Sequence, residues 1–337
     1  MAHELEFVNN KAQMAYVGEV PWHGLGTKVD ENLTPREMME VAGLDWTVEK
    51  RDVFFENANG EQERAPKKQA LVRSHDGKYL DIVSDDWMPV QNEDAFEFFS
   101  EYVKAGGMNM HTAGSLKDGK IIWGLAKVNE SFALFGGKDE VESYLLLSNP
   151  HQFGKGVDVR FTPIRVVCNN TLSLSLEGKA SMGISLNHRN AFDPEKVREA
   201  LAEASQKMET YKEMAQFLSE KTFTQESVFE YFNRVFPKTS IKAKNSGMTF
   251  DELMKSIKKG ENKTSRNAAL ALDILETQPG AEYGRGSWWQ AYNAVTYITN
   301  HTMGRNPDTR MQSVWYGQNK DRNINALGMA VEYAEAA

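Results

Sequence analysis

Cysteine is almost missing from this chain: Cys168 stands alone among 337 residues. One thiol cannot close an internal disulfide, and no Cys-x-x-Cys or His-x-x-x-His spacing offers a zinc frame. Long apolar runs are missing too, so nothing reads as a membrane span. The opening Met-Ala-His-Glu-Leu-Glu lacks the basic and apolar regions of a secretory leader. Together these absences point to a reducing cytoplasm. Walker and dinucleotide glycine patterns are absent, because the turns Gly24-Leu25-Gly26 and Gly154-Lys155-Gly156 lack the required spacing and the Lys-Ser/Thr pair. No cofactor and no metal is therefore expected. The seven histidines are scattered.

Positive charge is also short overall. The net charge of −8 repels nucleic acid from the molecule as a whole. Its distribution is uneven. The first hundred residues are acidic, whereas Arg234–Arg266 is basic, with Lys238, Lys242, Lys244, Lys255, Lys258, Lys259 and Lys263.

The hydrophobic pattern predicts an α+β protein. Thr34 precedes Pro35, Glu37 sits at the third helical position and Gly43 follows Ala42, which are start and stop signals for a short helix. Strands are predicted at Trp46–Phe55, Lys68–Ser74 and Tyr79–Ser84, the last two joined at Asp76-Gly77. An amphipathic helix follows over Asn92–Lys104. This antiparallel β-β-β-α core leads into further strands at Met108–Val128, Val141–Ser148, Val157–Phe161 and Met182–His188. Thr162-Pro163 repeats the helix-start signal, so a helix is expected over Pro163–Leu176. Beyond Asp193-Pro194 the period becomes helical, with helices expected at Glu195–Phe236, Phe250–Ile257, Ala268–Leu275, Ser287–Asn300 and in the tail. The expected division is an α+β domain over residues 1–191 and a helical region over 192–337.

The polar groups are densest between Asp158 and Leu172. Lys120, Lys155, Arg160, Arg165 and Arg189 are candidate phosphate contacts, with Asn169 and Asn170 as neutral donors. A helix start at Thr162-Pro163 would add oriented N–H groups. Phe153 and Phe161 could stack bases, the sequence-tolerant mode of single-strand binding. The competing reading is structural, with the arginines paired to carboxylates such as Asp158 and the asparagines fixing a loop. Cys168 with His151 forms the alternative, a thiol enzyme activated by the nearby Arg165; a lone cysteine in a Val-Val-Cys context is more often a buried small side chain. Trp22 and His23 sit in a glycine-rich loop, either plugging the core edge or carrying function.

Several strings carry a resemblance: Pro21-Trp22-His23-Gly24-Leu25-Gly26, Ala42-Gly43-Leu44-Asp45-Trp46, Pro89-Val90-Gln91-Asn92, Thr112-Ala113-Gly114-Ser115-Leu116, Thr162 to Leu172, and Asn293-Ala294-Val295-Thr296. The chain resembles the phage/plasmid-like family catalogued as domain of unknown function 932. It departs from that family at His151-Gln152-Phe153-Gly154, where His-Asp-Gly is expected. The family implies a mobile-element setting and no settled activity. The β-β-β-α unit is also similar to the core of phage single-strand annealing recombinases. The expectation is an ATP-independent protein that binds and anneals single-stranded DNA for recombination or replication, working as a homo-oligomeric ring or filament. The alternatives are the Cys168 enzyme and a non-catalytic protein acting on host defence.

Overall fold

The computed structural model describes residues 7–8, 11–18, 26–165, 170–171, 194–237, 265–305 and 307–336. The loop with Trp22 and His23, the segment from 172 to 193 and the basic stretch from 238 to 264 lie outside the described residues, and with them the expected elements at Met182–His188 and Phe250–Ile257.

Four short strands open the chain: β1 (Phe7–Val8), β2 (Lys11–Ala12), β3 (Met14–Tyr16) and β4 (Thr27–Lys28). Helix α1 (Pro35–Val41) begins where the sequence signals it. The Thr34 hydroxyl accepts the Glu37 amide N–H at 3.2 Å, and Glu37 Oε2 accepts the Thr34 amide N–H at 2.8 Å. Gly43 ends it at φ +74, and a Cβ there would come within 2.7 Å of the Gln13 side chain. Next come β5 (Val48–Glu56), β6 (Gln62–Arg73) and β7 (Tyr79–Ser84), a three-stranded antiparallel sheet in the order β5-β6-β7. Helix α2 (Asn92–Ala105) completes the expected β-β-β-α unit.

The second sheet takes β8 (Asn109–Leu116), β9 (Ile121–Leu134), β10 (Asp139–Pro150), β11 (Asp158–Arg165) and β12 (Asn170–Thr171), in the order β12-β11-β10-β9-β8-β3-β4. Gly124 on β9 has no side chain for a reason: a Cβ would meet the Phe96 ring of α2 at 3.2 Å. Phe96 and Phe99 are fully buried, each contributing about 1.5–3 kcal/mol of apolar transfer.

The outer part of the β5–β6 hairpin differs from the rest. Between the Asp52–Gln69 and Phe54–Arg64 pairs, residues 65–68 of β6 face the single residue 53 of β5. That insertion contains Pro66 and Lys67, the latter at φ +55. Past it, Phe54 and Phe55 are exposed.

One expectation is overturned. Thr162-Pro163 starts no helix: both lie inside strand β11, and Ile164 pairs with Thr171 and Arg165 with Asn170 across an antiparallel hairpin. The β-branched residues Thr162 and Ile164 suit a pleated surface, and cross-strand pairing outweighs a capping signal worth about 1 kcal/mol. Thr162 is fully buried, as befits a strand residue. The anion seat expected at a helix start falls with it.

The helical part comprises α3 (Pro194–Glu220), α4 (Gln225–Val235), α5 (Arg266–Ile274), α6 (Trp288–Tyr297), α7 (Pro307–Tyr316) and α8 (Gln318–Glu335) among the described residues. A π-helical turn, Ile298–Thr302, extends α6. By compactness the chain forms two units. One contains Met1–Asn129 and Ser143–Phe161 with the start of α3; the other contains Glu130–Glu142, Thr162–Leu174 and Gln206–Ala337. In the second, Trp288 stacks on Tyr333 at 5.4 Å and the buried Trp289 donates its indole N–H to Asp139 at 2.8 Å. No described helix is long and apolar enough to cross a membrane.

Candidate nucleic-acid interface

Strand β7 does not alternate strictly: its register against β6 shifts between Leu71 and Val72, skipping Leu80, and its outward positions are unusual. Leu80 and Val83 are fully buried, whereas Tyr79 is 50% and Ile82 41% exposed. Phe153, on the turn after β10, is 56% exposed. That turn is tied to β7, since the Phe153 amide N–H donates to Asp81 Oδ2 at 2.9 Å. The other oxygen, Asp81 Oδ1, accepts the Ile82 amide N–H at 2.9 Å, so backbone donors engage both oxygens of this acid.

Each exposed ring has an ammonium above it. Lys120 Nζ lies 5.5 Å from the Tyr79 centroid and Lys68 Nζ 5.9 Å from the Phe153 centroid. Such cation–π placement is worth about 0.5–1 kcal/mol at exposed sites. It also positions positive charge beside a flat apolar face. Lys155 extends the turn, donating to Gln152 Oε1 at 2.9 Å. The Tyr79 phenol is held above its ordinary pKa, first by desolvation and then by Asp81, which keeps it neutral.

The turn rests on a buried polar cluster. The His151 amide N–H donates to the Lys120 carbonyl at 2.9 Å, which joins the two loops that carry Lys120 and Phe153. Asn92, at the start of α2, organises the side chains. Its Nδ2 donates to the carbonyls of Leu44 at 2.9 Å and Trp46 at 3.3 Å. Carbonyls only accept, so Oδ1 of Asn92 must face the other way. There it accepts Asn149 Nδ2 at 3.1 Å and meets His151 Nε2 at 2.9 Å. This fixes the imidazole proton on Nε2. Desolvation lowers the His151 pKa to about 3, so the ring is neutral. Trp46 packs on it with centroids 5.4 Å apart, and the Arg73 guanidinium covers the same indole at 5.3 Å. Arg73, buried at the end of β6, is neutralised by Asp76 through Nε at 3.0 Å. That contact holds the Asp76 carboxyl far below the usual range.

The sequence-predicted residues divide among several places. Lys120, Lys155 and Phe153 share the corner just described. Phe161 is 1% exposed and belongs to the core, not to a stacking face. Arg160 is half-buried on β11 and donates Nε to Asp158 at 2.5 Å, the carboxylate pairing weighed as the structural alternative. Arg165 and Asn170 occupy facing positions of the β11–β12 hairpin. Cys168, Asn169 and Arg189 lie outside the described residues. His151 is sealed in the core on Asn92, where it positions a loop. No cluster of three or more His, Cys, Asp or Glu among the described residues could hold a metal ion. Tyr79, Ile82 and Lys68 escaped the sequence reading as site residues. Strict alternation would place Tyr79 and Ile82 on opposite faces, so no local signal marked them; the irregularity at Leu80 turns both outward.

A family model described as "Domain of unknown function (DUF932)" matches residues 79–323, most of the chain. No curated protein matches it. No solved structure matches it either.

Proposed function

We propose that this chain, which belongs to the family described as a domain of unknown function (DUF932), binds single-stranded nucleic acid on the Tyr79–Phe153 corner. The observation that carries the reading is the pairing of each exposed ring with a lysine ammonium, at 5.5 and 5.9 Å. Bases stack on the rings, while Lys68, Lys120 and Lys155 follow the phosphates. Base-edge readout has no part in this mode, so sequence preference is weak. A locally basic aromatic corner lets a molecule of net charge −8 engage a polyanion. In a mobile element such a protein serves ATP-independent strand annealing during recombination or replication. A ring or filament of copies would line up several such corners along one strand.

The test is fluorescence anisotropy with labelled single-stranded and duplex oligonucleotides at two salt concentrations. Stacking contributes about 1–3 kcal/mol per base, so Tyr79→Ala/Phe153→Ala should weaken single-strand binding by about tenfold or more. Lys68→Ala/Lys120→Ala should lower the slope of log K against log salt by about 0.7 per lost phosphate contact. Unchanged affinity in the folded double aromatic variant refutes the proposal.

A further inference from the structure

Two arginines of the helical unit stand apart from the others in their company. Arg310 on α7 and Arg322 on α8 are both half withdrawn from water. Elsewhere, withdrawn arginines hold acids: Arg73 holds Asp76 and Arg160 holds Asp158. Arg310 and Arg322 pair with no carboxylate among the described residues, in a chain with 47 acidic residues to draw on. All their partners are neutral. Arg310 Nε donates to the Met303 carbonyl at 2.9 Å. Arg322 Nη1 donates to Asn319 Oδ1 at 2.6 Å and lies 4.0 Å from Met303 Sδ. Its guanidinium covers the Phe236 ring at 5.6 Å.

Both guanidiniums therefore meet at one residue, Met303, directly after the π-helical turn Ile298–Thr302. The turn is held firmly. Thr299 Oγ1 donates to Asn323 Oδ1 at 2.8 Å, and Asn319 Nδ2 donates to the Thr299 carbonyl at 3.4 Å. Gly304, at φ +106, packs on the backbone of Arg310, where a Cβ would lie 3.3 Å from its Cα. This packing fixes where Arg310 starts relative to Met303. Insertions of this π type are rare and recur at functional sites.

We infer that Arg310 and Arg322, brought together at Met303, form a seat for one phosphate group. The existing bonds leave the two terminal nitrogens of Arg310, and Nε and Nη2 of Arg322, without a hydrogen-bond partner among the described residues. A phosphate oxyanion accepts from several such N–H groups at once, and the planar guanidinium suits it better than an ammonium does. Withdrawal from water strengthens the attraction, and it also leaves an unfilled site costly. Desolvation lowers the pKa of both arginines and no acid raises it, so both carry their charge without a carboxylate beside them. The phosphate belongs either to a nucleic-acid backbone or to a free phosphate or diphosphate. The site does not depend on the Tyr79–Phe153 corner.

The experiment uses the full chain. Phenylglyoxal modifies accessible arginines, and peptide mass spectrometry reads each one. Inorganic phosphate and pyrophosphate, at an ionic strength matched with chloride, should slow modification of Arg310 and Arg322 by about fivefold or more. Exposed Arg51 and Arg64 should be unaffected. Equal rates in phosphate and chloride overturn the inference without any variant having to fold. In the second arm, the salt slope for single-stranded oligonucleotide binding is compared between wild type and Arg310→Gln/Arg322→Gln. Protection by phosphate with a slope lower by about 0.7 assigns the seat to the nucleic-acid backbone. Protection with an unchanged slope assigns it to a free phosphate compound. Loss of aromatic-corner binding with phosphate protection intact would remove the proposed function and leave this site standing.

Discussion

Asn92→Ala should cost this protein a large part of its stability, although it removes only a small side chain. Asn92 spans the Leu44 and Trp46 carbonyls on one side and Asn149 and His151 on the other, and is 1% exposed. Two of these partners suffer most. His151 loses its bond at Nε2 while its buried Nδ1 has no partner, so the imidazole becomes wholly unsatisfied. The Leu44 carbonyl loses its 2.9 Å donor. Asn149 suffers less, because its Nδ2 also donates to the Val90 carbonyl at 3.2 Å. At about 1–3 kcal/mol for each of these two buried groups left unsatisfied, the loss is about 2–6 kcal/mol. Against a usual stability of about 5–15 kcal/mol, that is a severe change. Urea unfolding should show the midpoint falling by about 1–2 M at unchanged slope. Asn129→Ala is the control, since Asn129 makes one exposed bond, to the Gly107 carbonyl at 3.0 Å, and should lose under about 1 kcal/mol. If the two variants lose equal amounts, the buried network does not hold the loops as argued.

His151 gives a pH dependence of known sign. Its folded pKa of about 3 lies below the ordinary 6.5, so its contribution is complete above about pH 6.5 and is lost as pH falls from there toward 3. The slope reaches about 1.4 kcal/mol per pH unit, and urea midpoints at pH 7, 5.5 and 4.5 should flatten in His151→Gln relative to wild type. Gly119→Ala should destabilise by about 1–3 kcal/mol, because φ is +88 and the new Cβ would lie 2.9 Å from Arg73 Nη1; a neutral result by thermal unfolding would contradict that close approach.

Local signals carried far in this chain where they agreed with the packing. Thr34, Pro35, Glu37 and Gly43 each announce a piece of α1, and the strand Tyr79–Ser84 and the helix from Asn92 appear where the Asp76-Gly77 turn and the 3.6 period put them. At Thr162-Pro163 two local signals conflicted, and the place of β11 in the sheet, between β10 and β12, chose the strand. No local pattern carries that information. The site shows the same division. Lys120, Lys155 and Phe153 were legible as residue types in a polar, glycine-rich setting. Tyr79 and Lys68 were not, because their part depends on which turn packs against β7. Likewise, the pairing of Arg310 with Arg322 arises from a π-helical turn that has no sequence signature.

The offset in the β5–β6 hairpin has a consequence for how this protein can change length. Residues 65–68 against residue 53 make an odd excess of three, and that parity decides which side of the ribbon Phe54 and Phe55 occupy. Side chains alternate with a period of two, so adding one residue to one arm turns everything beyond it over, while adding two leaves it in place. The ribbon lies before the family-matched span, and its tip closes on itself, with Asn57 Oδ1 accepting the amide N–H groups of Asn59 and Glu61 at 3.0 Å. Lengthening or shortening it leaves the core untouched, but only even steps keep the two exposed phenylalanines facing the way they do.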